Sequence, residues 1–125
     1  MNNLKVVENV EGFIPVYETD TGEKVVSGRE LHQGLGVQRD FTDWIKQQLS
    51  SVDATEKDFS LLKGKTSEVG GRPTVEYILK LEITKEICLV AGASPRANEI
   101  LKQKSKAYRK YLIQFEENIK IKPLI

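Results

Sequence analysis

Short apolar runs near the start of the chain are typical of β-strands. β-branched and aromatic residues fill Leu4 to Val10 and Phe13 to Tyr17, and Glu11-Gly12 separates the two runs. The turn signal Thr19-Asp20-Thr21-Gly22 then precedes Glu23 to Val26, which extends the same pattern. Because such residues fit a half-buried pleated surface, the pattern predicts three short strands.

The spacing of apolar residues changes to that of helices after the third strand. Ser27 is a predicted N-cap, and Glu30 is its predicted capping-box partner. Gly34 and Gly36 supply the backbone freedom that a tight helix exit needs. The first helix is therefore predicted from roughly Arg29 to Gly34.

A second helix is predicted from roughly Arg39 to Ser51, with Phe41, Trp44 and Ile45 as its apolar stripe. His32, just before the corner, is interpreted as a packing or capping residue rather than a ligand. Two short helices joined by a Gly-Leu-Gly corner make a helix-turn-helix-like pair, which is a candidate for recognising nucleic acid or protein.

The second half of the chain predicts a strand over Thr74 to Leu79 and a helix over Leu81 to Ala91. Residues 53–62 are predicted to form a connection that returns Phe59, Leu61 and Leu62 to the core, and 63–71 a loop or hairpin tip. The inward residues of the helix are predicted to be Ile83, Ile87, Cys88 and Val90.

Ser94 and Pro95 predict the N-cap and first position of a last, long helix, and Pro123 stops its continuation. Its apolar residues recur at spacings of three and four over about six turns: Ala97, Ile100, Leu101, Tyr108, Tyr111, Leu112, Phe115 and Ile119. Together the elements predict an α+β fold, a small antiparallel sheet with a helix-turn-helix-like pair and a long amphipathic C-terminal helix.

The composition is that of one ordinary globular domain of 125 residues, 39% hydrophobic and 30% charged. Cys88 is the single cysteine and His32 the single histidine, so the sequence predicts no disulfide, no metal site, no cofactor and no enzyme. It contains neither an apolar run of membrane length nor a signal-peptide pattern, and we expect a cytoplasmic protein without a membrane partner.

Charge is divided unevenly along a chain whose net charge is +1. Residues 1–60 hold 6 Lys and Arg against 11 Asp and Glu, a net −5, whereas residues 61–125 hold 13 against 7, a net +6. This asymmetry would suit contact of nucleic acid with the second half, or head-to-tail association of copies. Simple solvation of charged helix faces is the alternative.

The second helix of the corner is the first candidate binding surface. Glutamine and arginine read base edges and lysine meets phosphates, whereas Asp40 and Asp43 on the same helix would repel a DNA backbone. A helix pair that merely builds the core is the alternative. The residues predicted to point outward and bind are Gln38, Arg39, Thr42 and Lys46.

Arg72 is a second candidate, because it stands between Gly71 and the rigid Pro73. Such a position would hold the guanidinium out for a phosphate or carboxylate of a partner. An internal salt bridge to an acidic residue of the first half is the equal alternative.

The last helix supplies the third candidate. One face carries a basic stripe that could track a phosphate backbone, Lys102, Lys106, Arg109 and Lys110, with Arg96 and Lys104 near it. A helix of this length cannot bury its whole apolar face against so small a domain, so we expect a homo-oligomer. The seam residues would be Tyr108, Tyr111, Leu112 and Phe115, for which a place in the core is the other interpretation.

Two runs of residues resemble the N-terminal domain of the AntA/AntB phage antirepressors, and more distantly the KilA-N and Bro-N domains of viruses. They read VSxRELHxxLGV…FxxWI and GRPxxxYxLxLxxxKEIC, with an Asp58-Phe59 pair in the connection, and the resemblance covers roughly residues 24 to 91. The last helix is longer and more basic than in many relatives. We expect an antirepressor domain over 1–118, with 119–125 as a tail or the start of a linker.

The resemblance implies a phage or prophage regulator of the switch from lysogeny to lytic growth, acting in the bacterial host cell. Such a protein opposes a repressor, usually by contacting the repressor itself, and a contribution from double-stranded DNA stays open. A DNA-binding transcription regulator acting directly on operator DNA is the main alternative, and a structural or assembly protein is a more distant one.

Overall fold

The structure is a computed structural model that describes residues 4–63 and 75–121. Within them the strands are β1 (Lys5–Glu8), β2 (Val16–Glu18), β3 (Lys24–Ser27), β4 (Phe59–Lys63) and β5 (Val75–Lys80). The helices are α1 (Gly28–Leu35), α2 (Phe41–Ser51), α3 (Leu81–Ala93) and α4 (Glu99–Ile121). The α+β fold predicted from the sequence is confirmed.

The strands form one antiparallel sheet in the order β1-β2-β3-β5-β4. The central pairing places Val26 of β3 opposite Leu79 of β5, and both side chains are fully buried. Strand β4 replaces part of the predicted connection, and Phe59 packs against the core from it. The prediction that Leu61 returns to the core is wrong: β4 is an edge strand, and Leu61 is 53% exposed.

Helix α1 begins and ends as its sequence predicts. The Ser27 hydroxyl accepts a hydrogen bond from the Glu30 amide at 3.1 Å, and Gly36 ends the helix with a left-handed φ of 74°. The second half of the predicted capping box is wrong, because the Glu30 carboxylate accepts from the Tyr17 hydroxyl of β2 instead.

His32 joins the two helices of the corner. Its Nε2 lies 2.7 Å from the carbonyl oxygen of Arg39, and its ring centroid is 5.5 Å from Phe41 and 5.4 Å from Trp44. The packing role predicted for this histidine is therefore confirmed. Helix α2 starts later than predicted, because Asp40 is its N-cap.

Helix α4 also starts later than the sequence predicts. The Asn98 side chain accepts from the Leu101 amide at 2.8 Å and caps the helix, whereas the Ser94 hydroxyl accepts from Arg96 within the preceding turn. The predicted N-cap at Ser94 is therefore wrong. Ile100, expected to face inward, is 65% exposed, whereas the next residue, Leu101, turns toward the core and packs against it.

The apolar stripe of α4 completes the core of its own chain. Tyr108, Leu112 and Phe115 are buried, and the Phe13 ring stacks on Tyr111 with centroids 4.6 Å apart. The Tyr111 hydroxyl donates to Glu8 of β1 at 2.7 Å. Of the four residues predicted as a self-association seam, Tyr108, Leu112 and Phe115 are thus buried in the core of their own chain, and Tyr111 is half-buried.

Gly34 is required for close packing rather than for the helix exit. It lies inside α1, and a Cβ there would overlap the Tyr108 hydroxyl oxygen and stand 3.1 Å from the nearest ring carbon of that tyrosine. Lys104 donates to the Gly34 carbonyl at 3.3 Å from the same helix. The chain thus brings α4 directly onto the backbone of α1.

We expect Gly34→Ala to lower the free energy of unfolding by about 1–3 kcal/mol, the usual effect of overpacking a core. Tyr108 is only 5% exposed, so its ring has little room to move away. Urea unfolding measures the loss, and the same substitution in a Tyr108→Phe background should cause a smaller one. Equal stability of Gly34→Ala and the unaltered protein would contradict this packing.

Candidate partner-binding surface

The start of α1 is tied to β5 by a group of hydrogen bonds. The Ser27 hydroxyl donates to the Glu76 carboxylate at 2.7 Å, and the Arg29 amide donates to the same carboxylate at 3.3 Å. The Arg29 guanidinium donates through Nε and Nη2 to the Val75 carbonyl at 3.2 and 3.1 Å. A carboxylate at a helix N-terminus is favoured by the unpaired amides and by the helix dipole.

The same junction fixes the position of α2. A Cβ on Gly28 would stand 3.1 Å from the Tyr77 Cβ, so α1 begins in close contact with β5. The Arg29 guanidinium carbon lies 4.5 Å from the centroid of Phe41, the first residue of α2, which is a cation–π distance. The two motif runs noted in the sequence therefore meet at one place.

A second carboxylate group lies beside this junction. The Tyr17 hydroxyl lies 2.9 Å from both oxygens of Glu30. Desolvation by burial, followed by the hydrogen bond to Glu30, raises the pKa of Tyr17 to about 12. The phenol thus holds its proton and stays a donor well above neutral pH.

The residues predicted to bind on α2 lie together on an exposed surface, which we call the α2 face. Thr42 and Lys46 are exposed on the helix, and Gln38 and Arg39 are exposed at the corner before it. The Arg39 guanidinium donates to Gln47 two turns along α2. The sequence did not predict the role of Gln47. Residues eight positions apart come into contact only if the Arg39 side chain extends along the surface of α2.

The acidic residues of this surface are partly engaged in capping. The Asp40 carboxylate accepts from the Asp43 amide at 3.3 Å, so its charge faces the N-terminus of α2. Asp43 itself is exposed beside Lys46. The α2 face therefore presents both charges rather than a uniformly basic surface.

The basic stripe of α4 lies on a different side of the molecule. Lys102, Lys106 and Lys110 are exposed and Arg109 is half-buried. Lys104, which contacts α1, lies on nearly the opposite side of the helix from Lys102, so the stripe faces away from the corner. Arg72 lies outside the described residues.

The described ranges hold no group of three or more metal-ligating side chains that could bind a metal ion. An open cavity of about 490 Å³ lies at the N-terminus of α3, between β5 and the end of α4. Its charged groups are largely satisfied within the chain: Lys80 pairs with Glu23 at 3.1 Å, and Glu82 and Glu116 both pair with Lys85. No helix of residues 4–63 and 75–121 is long and apolar enough to cross a membrane.

Glu76→Gln should lower the free energy of unfolding by about 1–3 kcal/mol, because the amide cannot replace a charged acceptor shared by Ser27 and the start of α1. The exposed Glu86→Gln is the matched control and should change stability little. Urea unfolding of both variants checks the expectation, which fails if the two lose the same stability.

The Tyr17–Glu30 contact has a pH signature. A folded pKa of about 12 against the ordinary 10.0 means that the folded protein retains a proton that the unfolded chain releases. This contribution to stability is full below pH 10 and is lost as pH rises toward 12. The difference in unfolding free energy between the unaltered protein and Tyr17→Phe, measured from pH 8 to 11.5, should shrink only above pH 10.

The part of the chain that forms this junction also matches a known protein family. The family model of the AntA/AntB antirepressors matches residues 26–92, which span α1, α2, β4, β5 and most of α3. Neither the curated proteins nor the solved structures include a match to this chain. The matched region is more than half of the 125 residues and contains both motif runs. The chain therefore belongs to the AntA/AntB antirepressor family.

Proposed function

We propose that this protein is an antirepressor of a phage or prophage that promotes lytic growth by binding a repressor protein in the cytoplasm of the bacterial host. The family supports the general role. The observation that carries the mechanism is the α2 face, an exposed set of polar residues on a helix whose start is held by the Arg29–Phe41 contact and by His32. A rigidly held surface loses little conformational freedom when it binds.

Arg39 is the central residue of the proposed contact. Its guanidinium can donate to a carboxylate of the repressor in two parallel hydrogen bonds. The contact with Gln47 restrains the side chain along α2, so less rotamer entropy is lost on binding. Lys46 and Thr42, one turn apart, add a charge and a hydroxyl on the same surface. The mechanism needs binding alone and involves no catalytic step.

Direct binding of operator DNA is the second candidate. Gln38, Thr42 and Lys46 are residue types that contact bases and phosphates, and they lie at the start of the second helix of the corner. The basic stripe of α4 adds three exposed lysines. Asp43 in the middle of the α2 face disfavours a phosphate backbone there, which is why we place protein binding first.

A mobility-shift assay with prophage regulatory DNA and the repressor of the same prophage tests the proposal. The unaltered protein should release the repressor from its operator without shifting the DNA itself. Arg39→Ala and Lys46→Glu should each weaken this release about tenfold or more, as expected for a charged residue central to an interface. The exposed Lys5→Glu on β1 is the control and should keep full activity.

The outcomes separate the two candidates. A shift of operator DNA by this protein alone, competed only by specific sequence and weakened steeply by salt, would replace the proposal with direct DNA binding. Absence of both release and shift would reject a role at this operator. Release that survives Arg39→Ala and Lys46→Glu would show that the repressor binds elsewhere on the surface.

A further inference from the structure

The exposed side of the α3–α4 hairpin carries an arrangement that the proposed function does not use. The two helices are antiparallel, because Lys85 pairs with Glu116, and Gly92 approaches Ser105 at the other end. Leu89 stands between Lys85 and Gly92 on α3, and the register set by these two contacts places it level with Arg109 on α4. This register places the residues of both helices along one axis.

Helical spacing defines an outer hairpin face. On α4, positions 99, 102, 106, 109, 113 and 117 recur every three or four residues and share one side. On α3, Glu82 and Leu89 flank Lys85 and Gly92, the residues that contact α4, and both are exposed. The outer hairpin face thus consists of Glu82, Leu89, Glu99, Lys102, Lys106, Arg109, Ile113 and Glu117.

This face is apolar in the middle and oppositely charged at its two ends. Leu89 is 53% exposed and Ile113 is 36% exposed at its centre. Lys102 and Lys106 are exposed at one end, where with Arg109 they outnumber Glu99 and leave a net positive charge. At the other end the Glu82 side chain is 75% exposed, and Glu117 is exposed beside it. An apolar centre with a charged rim is the usual anatomy of a protein interface.

We propose that the outer hairpin face binds the same face of a second copy of this chain, about a two-fold axis that runs across the helices. That axis lays α4 antiparallel on α4 of the second copy. The basic end of each face then covers the acidic end of the other, and the apolar centres of the two faces meet. Such an interface is isologous, and it closes as a dimer.

The charge distribution selects this occupant and this axis. A two-fold axis parallel to the helices would place lysine against lysine, and a DNA backbone would meet Glu82 and Glu117 as well as the lysines. The antiparallel arrangement places Glu117 of the second copy over Lys106 and Arg109. Because surface ion pairs contribute little each, we expect a weak, salt-sensitive dimer in the micromolar range or above.

The dimer replaces the seam expected from the sequence. Tyr108, Leu112 and Phe115 stay in the core of each copy, and association uses the opposite side of α4. The inference stands without the proposed function, because the α2 face lies on a different part of the chain. It does compete with a DNA-binding role for the basic stripe, since one surface cannot serve both at once.

Sedimentation equilibrium of the full chain at low salt tests the proposal by charge reversal. The unaltered protein should form dimers, and Lys106→Glu alone and Glu117→Lys alone should each weaken the dimer at least tenfold. A 1:1 mixture of the two variants should dimerise again. In the mixed dimer the glutamate introduced at position 106 faces the lysine introduced at position 117, and the unaltered Glu117 faces the unaltered Lys106. The double variant K106E/E117K should also regain the dimer.

Controls separate this face from other routes of association. Lys5→Glu and Glu11→Lys reverse the same charges at exposed positions near β1 and should leave the dimer unchanged. The double variant L89S/I113S should also weaken the dimer, and mixing it with either charge-reversal variant should not restore dimerisation. The proposal is overturned if the unaltered protein is still monomeric at about 200 μM, a concentration well above a micromolar dissociation constant. It is also overturned if neither charge reversal weakens the dimer, or if mixing the two variants fails to restore it. If the protein is monomeric and binds a DNA duplex of roughly two helical turns, and if Lys106→Glu abolishes that binding, the basic stripe is assigned to DNA instead.

Discussion

The close contact between the start of α1 and strand β5 is the constraint on which the rest of the domain depends. Glu76 accepts hydrogen bonds from Ser27 and from the Arg29 amide, and Arg29 in turn lies over Phe41 of α2. The Glu76 carboxylate therefore connects the sheet to the first helix, and the Arg29 side chain connects both to the second helix. Because the amides at a helix N-terminus need partners, this contact also sets where α1 begins.

Local signals in the sequence predicted most of the elements, and contacts between distant residues explain what it missed. Ser27 as the N-cap and Gly36 at the end of α1 are set by neighbours in the chain, and both are confirmed. Gly34 was assigned to the wrong cause, because the residue that requires it is Tyr108, more than seventy positions later. The Asn98 cap was missed because Ser94 and Pro95 make an equally good local signal four residues earlier.

The candidate surfaces were predicted unevenly for the same reason. Exposure of the α2 residues followed from helical spacing, since Phe41, Trp44 and Ile45 fix the inward side. The length of α4 suggested an apolar surplus, but α3, α1 and Phe13 of the N-terminal hairpin together cover its stripe. Composition cannot reveal this enclosure, because its parts come from distant segments of the chain. The part of the surface left exposed, with Leu89 and Ile113, emerges only when the register of two helices is known.

The two ends of the chain also form a unit. The family match begins at residue 26 and stops at residue 92, so β1, β2 and α4 all lie outside it. These outer elements pack on each other through Phe13 on Tyr111 and through Tyr111 on Glu8. Loss of either end would strip the cover from the aromatic residues of the other. The N-terminal hairpin and the last helix therefore depend on each other for cover, although 103 positions separate Tyr111 from Glu8 along the chain.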